Sequence, residues 1–291
     1  LALSTLSTAA TATELWPGVQ YDPGAPDYQQ VLGYQPGERI SDHGEIRAWF
    51  EALARAYPER IELVPYAESW QGRELFYAVI GTPERMDQLD AIRSDIQAIA
   101  NPHEHDGDTV QAAMKRVPGT VWLSYAVHGN EISPADAAMY TAYHLLAAQD
   151  NEVVDSILEH NLVFIDPVQN PDGRARFIHS FEAAEGLEPA ASRLAAEHDQ
   201  PWPSGRVNHY LFDLNRDWLA ITQPETEGRV DALLEWYPLA FVDAHEMGSD
   251  SSYFFAPEAV PYNPHLAANQ RESLELFGRN NARWFDRFGF E

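Results

Sequence analysis

Apolar and polar positions alternate along this chain in two distinct periods, and the periods mark its elements. Between Ser41 and Tyr57 the apolar residues Ile46, Trp49, Phe50, Leu53 and Ala54 recur at helical spacing, which predicts a helix with one core-facing stripe. Two strand-like runs follow, Ile61–Ala67 and Glu74–Ile80, and the six residues between them suit a hairpin. A helix is predicted over Pro83–Ala98, then a polar loop over Asn101–Asp108. Thr120–Val127 is an apolar run ending in His128-Gly129-Asn130-Glu131, after which Ser133 as N-cap, Pro134 at the first helical position and Asp136 closing a capping box predict a helix to Ala148. On that helix Ala138, Met139, Ala142, Leu145 and Leu146 face inward, and His144 reads as structural or solvent-facing. Asn161–Val168 is almost continuously apolar, as expected of a strand covered on both faces, and runs into the turn sequence Gln169-Asn170-Pro171-Asp172-Gly173. Residues 180–204 read as a polar excursion. Thr222 with Glu225 predicts a capping box for a helix to Trp236, Leu239–Asp243 a short buried strand, Tyr253–Ala256 a further strand, and Asn263–Arg287 a last helix. Strands alternating with helices predict an α/β fold, with a mixed, mostly parallel central sheet flanked by helices.

Composition narrows what such a fold can do. The 291 residues are 45% hydrophobic and 12% aromatic, enough for a substantial core. A net charge of −26 repels nucleic acid and anionic membranes, so neither is expected as a partner; a solvated acidic surface suited to salt explains it. The absence of cysteine excludes disulfides and thiolate zinc sites, so any transition metal must be held by His, Asp and Glu. Residues 1–38 read as the remnant of a signal peptide, with a small-x-small site at Ala10-Thr11-Ala12, followed by an extended Pro- and Gly-rich lead-in. This predicts export to a periplasm or the medium. No later stretch has the about 18 uninterrupted apolar residues of a transmembrane helix. With no internal repeat or linker, residues 39–291 are expected to form one domain.

Three polar clusters terminate apolar runs: His128 with Glu131, Asp213 through Asp217, and Asp243 with His245. If these strands are neighbours, their ends converge on one cleft. Two histidines and one carboxylate with an open fourth position make a hydrolytic zinc arrangement, and Asp213 and Asp243 can orient the imidazoles by accepting from their second nitrogens. His103 and His105, on an acidic loop, are a weaker metal pair.

The order of these pieces resembles the M14 family of zinc carboxypeptidases. His128-Gly129-Asn130-Glu131 looks like the family's first ligand pair, Asn170-Pro171-Asp172-Gly173 like the turn after a central strand, and Asp213-Leu214-Asn215-Arg216-Asp217-Trp218 like the segment that grips a terminal carboxylate. His245 falls where the third ligand belongs. The resemblance implies one Zn2+ held by His128, Glu131 and His245, with Asp213 behind a ligand histidine and the α-carboxylate of a peptide or protein C-terminus bound by Asn215 and Arg216. It implies a carboxypeptidase in which zinc-bound water attacks the C-terminal peptide bond. The family's oxyanion arginine would be one of Arg174, Arg176, Arg193 and Arg206, of which Arg206 lies closest upstream of the Asp213 cluster. The family's general-base glutamate has no counterpart here: Glu246 and Glu291 match no catalytic position, and the expectation is a chain cut before the end of its catalytic domain. Two alternatives stay open, a zinc-dependent deacylase of N-acyl amino acids resembling the aspartoacylase and desuccinylase group, and a metal- or peptide-binding domain without catalysis. The sequence leaves oligomeric state and side-chain preference open.

Overall fold

The strands at the centre of the sequence carry apolar residues on both faces, so the chain must cover both faces of the sheet they form. In the computed structural model, which describes residues 16–188, 190–248, 251 and 253–290, it does so with helices. In order the elements are β1 (Gln20–Tyr21), α1 (Tyr28–Leu32), α2 (His43–Ala56), β2 (Ile61–Glu68), β3 (Glu74–Ile80), α3 (Pro83–Met86), α4 (Leu89–Ala100), α5 (Gly107–Arg116), β4 (Gly119–Tyr125), α6 (Ser133–Ala147), β5 (Ala148–Gln149), α7 (Glu152–His160), β6 (Asn161–Asp166), α8 (Pro171–Ala184), α9 (Pro224–Trp236), β7 (Ala240–Ala244) and α10 (Ala268–Phe288). The main sheet has the order β2-β3-β6-β4-β7; β2, β3 and β6 pair antiparallel, while β6, β4 and β7 run parallel. The expected mixed α/β sheet is therefore present.

Period-two alternation divides the core into two layers. Phe76, Ala78, Ile80, Val163 and Ile165 face α2, α6 and α7, where Trp49, Phe50, Met139 and Leu158 are buried. Tyr77, Val79, Trp122, Leu162 and Phe164 face α4 and α9, against Ile92, Ile96, Ala232 and Trp236. Trp122 and Phe164, on adjacent strands, stack at 5.1 Å with planes 7° apart. His144 is structural, as expected, with Nδ1 2.9 Å from the Tyr21 hydroxyl and its ring stacked on Trp16.

Several local expectations are corrected. Ser133 is not an N-cap: it is the first residue of α6, and its N–H and Oγ both donate to Glu246 Oε2, at 2.9 and 2.8 Å. Asp136 closes no capping box, because the buried Arg174 guanidinium takes one of its oxygens at 2.6 Å and the Ser41 hydroxyl takes the other. Thr222 and Glu225 form no box either; the Asp217 carboxylate accepts from Thr222 and from the Gln223 N–H, and Pro224 opens α9. Asn170-Pro171-Asp172-Gly173 follows the central strand β6 as expected, and its turn is the first turn of α8, with Asn170 as the cap. The predicted 83–98 helix is two helices, α3 and α4, and α5 begins inside the predicted polar loop. Leu239–Asp243 does form a strand, shifted by one residue, but it is not buried: β7 pairs only with β4 among the described strands, leaving Phe241 39% and Val242 46% exposed.

The chain divides into two compact units, the first ending at Glu246 and the second running from Met247 to Glu291. In the second, Tyr253 and Phe255 lie edge-on against Phe285 of α10 at 4.5 and 5.0 Å, which is why 253–256 pack on a helix and form no strand. Ala10-Thr11-Ala12 and Glu291 lie outside the described residues. No helix among the described residues is long and apolar enough to cross a membrane.

Two loops and the first turn of α8 close to backbone contact at Gly129, Gly205 and Gly173. A Cβ on Gly129 would sit 2.7 Å from the Gly205 carbonyl oxygen; one on Gly173 would sit 2.6 Å from the Val207 carbonyl oxygen, and one on Gly205 2.6 Å from that of Gly173. Only glycine permits this approach. Gly173→Ala is therefore expected to destabilise the chain by about 1–3 kcal/mol through overpacking against immobile backbone. A denaturant midpoint equal to that of the unaltered chain would contradict this.

Candidate metal centre

β4 and β7 are parallel neighbours with Tyr125 opposite Ala244, so the loops that follow them leave the sheet side by side at its carboxyl edge, where ligands of open α/β sheets bind. The first loop turns at Ala126, held at φ 54, and closes with the Glu131 N–H donating to the His128 carbonyl. His245 follows β7 directly. The two imidazole centroids lie 5.0 Å apart.

Glu131 sits between the rings. Its Oε1 is 2.6 Å from His128 Nδ1 and its Oε2 is 3.0 Å from His245 Nδ1, and Oε2 also accepts the Glu246 N–H at 2.9 Å. The outward nitrogens are matched in the same way, His128 Nε2 lying 3.1 Å from Asp213 Oδ1 and His245 Nε2 3.1 Å from Asp243 Oδ2. Burial works against the Glu131 carboxylate, but hydrogen bonds from both histidines and the Glu246 backbone hold its pKa well below the usual carboxylate range. Hydrogen bonds to Asp243 and Glu131 push His245 up to about 10. At Asp213, burial is outweighed by His128, Arg206 and the Asn215 N–H, and its pKa falls.

Each ring thus faces a carboxylate with both nitrogens, a demand that an imidazolium meets by donating twice and that a cation held among the three side chains would meet instead. The ligand atoms of His128, Glu131 and His245 lie within 4.8 Å of one another. The donor set, two imidazoles each oriented by an outer carboxylate and a carboxylate oriented by the Glu246 N–H, fits a divalent transition metal.

Of the four arginines weighed from sequence, the structure brings Arg206 to the cluster. Its Nε and Nη2 are each 3.1 Å from Asp213 Oδ2, and Nη1 is 3.6 Å from Glu131 Oε1. Arg174 is buried and donates to the Ser41 and Ile132 carbonyls as well as to Asp136. Arg176 ties down the carbonyls of Ser204, Val207, Asn208 and His209, and Arg193 is exposed on a turn. Asn215 and Arg216 belong to a short 3-10 turn, Leu214–Arg216, capped by Asp213. Asn215 Nδ2 lies 3.3 Å from His245 Nε2, and the Arg216 guanidinium is exposed, donating to the Asn215 carbonyl. His103 and His105 stay on their exposed loop.

Sequence reasoning missed the buried polar groups under the cluster. Arg229 shares an inward face of α9 with Thr226, Ala232 and Trp236, and a cation on such a face was the available signal. Asp166, at the end of β6, is fully buried and accepts the Tyr66 hydroxyl at 3.1–3.2 Å.

An α/β sheet with a His-Glu-His cluster at its carboxyl edge defines the class, that of metallohydrolase-type folds. The chain belongs to the zinc carboxypeptidase family of M14 peptidases, whose model matches residues 46–256. Among solved structures, carboxypeptidase A from Helicoverpa armigera matches with a TM-score of 0.55 at 19% identity, over 89% of this chain and 59% of that one. A putative carboxypeptidase from Burkholderia mallei matches with a TM-score of 0.52 at 18% identity, over 80% of this chain and 46% of that one. The likeness is one of fold, and the chain spans less than two-thirds of the length of either relative. A comparison with curated protein sequences returned no match.

Burial pushes the Asp166 carboxyl up to about 7, against the opposing pull of Arg229 and Tyr66. The fold therefore keeps a proton that the unfolded chain releases near 3.8, and stability falls as pH rises between these values. Asp166→Asn, which cannot ionise, should lose this dependence. The unfolding free energy of the variant minus that of the parent should increase from pH 4 to pH 7, and a pH-independent difference would refute the assignment.

Proposed function

We propose that this chain carries the metal centre and carboxylate-binding residues of a zinc-dependent carboxypeptidase acting on peptide or protein C-termini. The observation that supports it is the pair of imidazoles, each bracketed by two carboxylates, closing on Glu131. His128, Glu131 and His245 would hold the metal, with Asp213 and Asp243 fixing the rings. When bound, zinc supplies a Lewis acid that polarises the scissile carbonyl and activates water. Asn215 and Arg216 bind the terminal α-carboxylate; a guanidinium fork matches a carboxylate bidentately and the amide adds a donor. Arg206, poised beside Glu131 and Asp213, donates to the carbonyl oxygen as negative charge develops on it. Glu246, one oxygen of which accepts the Ser133 N–H and hydroxyl, is given no proton transfer in this scheme. The proton acceptor is assigned to no described residue, and turnover is a property proposed for the whole protein.

Zinc content after dialysis should be about one per chain, and His128→Ala or His245→Ala should abolish it. Unchanged zinc in both variants would remove the site. The zinc-loaded chain should bind a peptide with a free C-terminus and not its amidated form, and Arg216→Ala should weaken that binding about 10- to 100-fold, the range of a lost charge-assisted hydrogen bond. Preference for an N-acyl amino acid over the peptide would point to the deacylase alternative.

A further inference from the structure

Beneath the cluster lies a set of buried polar side chains that touches none of His128, Glu131 and His245, and it converges on Arg229. This residue is 1% exposed. Its guanidinium lies 4.1 Å over the Trp218 ring, Nη1 donates to Gln169 Oε1, and Nη2 donates to the Leu214 carbonyl at 3.3 Å. Each of these partners bears on a support of the cluster. Gln169 Nε2 donates to Asp243 Oδ1 at 3.4 Å, and the other oxygen of Asp243 holds His245. Trp218 Nε1 donates to Asn215 Oδ1 at 3.3 Å, which turns the Asn215 Nδ2 toward His245. Leu214 sits inside the turn that carries Asp213, the acceptor behind His128.

We propose that Arg229 is a positioning residue for the metal centre: one buried guanidinium fixes the Gln169 amide, the Trp218 ring and the Leu214 carbonyl, and through them the Asp243 and Asp213 carboxylates that orient the two histidines and the Asn215 amide beside them. The proposal rests on the metal reading above. Its physical core is amide polarity. An amide presents oxygen on one side and N–H on the other, and either can be turned inward. Because Arg229 can only donate, it captures the Gln169 oxygen and leaves the NH2 facing Asp243 and the Tyr125 carbonyl, both acceptors. Without the guanidinium the buried Gln169 oxygen is left with no donor, and the amide loses the anchor that keeps its NH2 at 3.4 Å from both Asp243 and the Tyr125 carbonyl. Burial of a charge also argues for this role: Nε has no hydrogen-bond partner, Asp166, Asp243 and Asp217 act on the charge only through space, and an apolar side chain would fill the site at less cost. Lysine cannot replace it, because a point charge has neither the fork that reaches Gln169 and Leu214 together nor the flat face that stacks on Trp218.

The test compares zinc affinity, by competition with a chelator, and the visible spectrum of the cobalt(II)-substituted chain, for the parent, Arg229→Lys, Gln169→Leu and the double variant. Outer-shell losses typically weaken metal binding 10- to 100-fold, and each single variant is expected to fall in that range with an altered cobalt spectrum. The double variant should be no weaker than the worse single, since both changes break one chain of contacts. Folded variants with parental affinity and spectrum overturn the proposal, even if their melting temperatures drop, since that is what a purely structural role predicts. If Arg229→Lys does not fold, Gln169→Leu decides alone, because it leaves Arg229 on Trp218 and Leu214. A parent chain that binds no zinc overturns the metal reading itself and this inference with it, an outcome distinct from equal binding by parent and variants.

Discussion

One carboxylate shared by two imidazoles is the interaction around which the upper edge of this sheet is arranged. Glu131 can meet both rings only because β4 and β7 are parallel neighbours in register, with Tyr125 opposite Ala244. That register depends in turn on the two apolar layers. Trp122 and Phe164 lock β4 to β6 on one face, and Met139 and Ala142 seat α6 on the other. The loop connections then add what the sheet cannot. Glu246 reaches from the end of β7 to the first residue of α6, so the two loops bearing the histidines are tied by side chain as well as by strand pairing.

The family, and the three residues that the structure gathers into the His-Glu-His cluster, were legible in the sequence because these residues stand where apolar runs stop, and strand ends in an α/β sheet share one edge. The covered strands were legible for a similar reason: β3 and β6 carry apolar residues on both faces. Helix starts were not. Ser133, Asp136, Thr222 and Glu225 have the right spacing for local caps, yet partners far along the chain or on another segment take their hydrogen bonds, and spacing cannot register such competition. Asn170-Pro171-Asp172-Gly173 is ambiguous by chemistry, since a capping asparagine followed by proline opens a helix as readily as it makes a turn. Phe241 and Val242 read as buried because apolar residues in a strand usually are, whereas exposure depends on what lies beside the strand.

The basic residues tell a second story about this acidic chain. Lys115 is its sole lysine, and the rest of its 19 Lys and Arg residues are arginine. Several of these arginines work as internal ties: Arg174 joins the segment before α2 to the start of α6, Arg176 gathers four carbonyls, and Arg229 joins three segments under the cluster. A planar, multiply donating cation suits carbonyl-rich loops that offer acceptors but little apolar surface. Arg174 and Arg229 are fully buried in this way, among buried carboxylates such as Asp166, Asp172 and Asp217.

The contact of Gly129, Gly173 and Gly205 has a mechanical consequence. Where loops meet through side chains, a rotamer change can absorb a small displacement of one loop without moving the next. Here peptide planes touch directly, with no rotatable group between them, so the His128 loop, the start of α8 and the segment leading to Arg206 can shift only together. Such an edge is preorganised: its geometry is set when the chain folds, and a bound ion or substrate meets a shape already made rather than one it must induce.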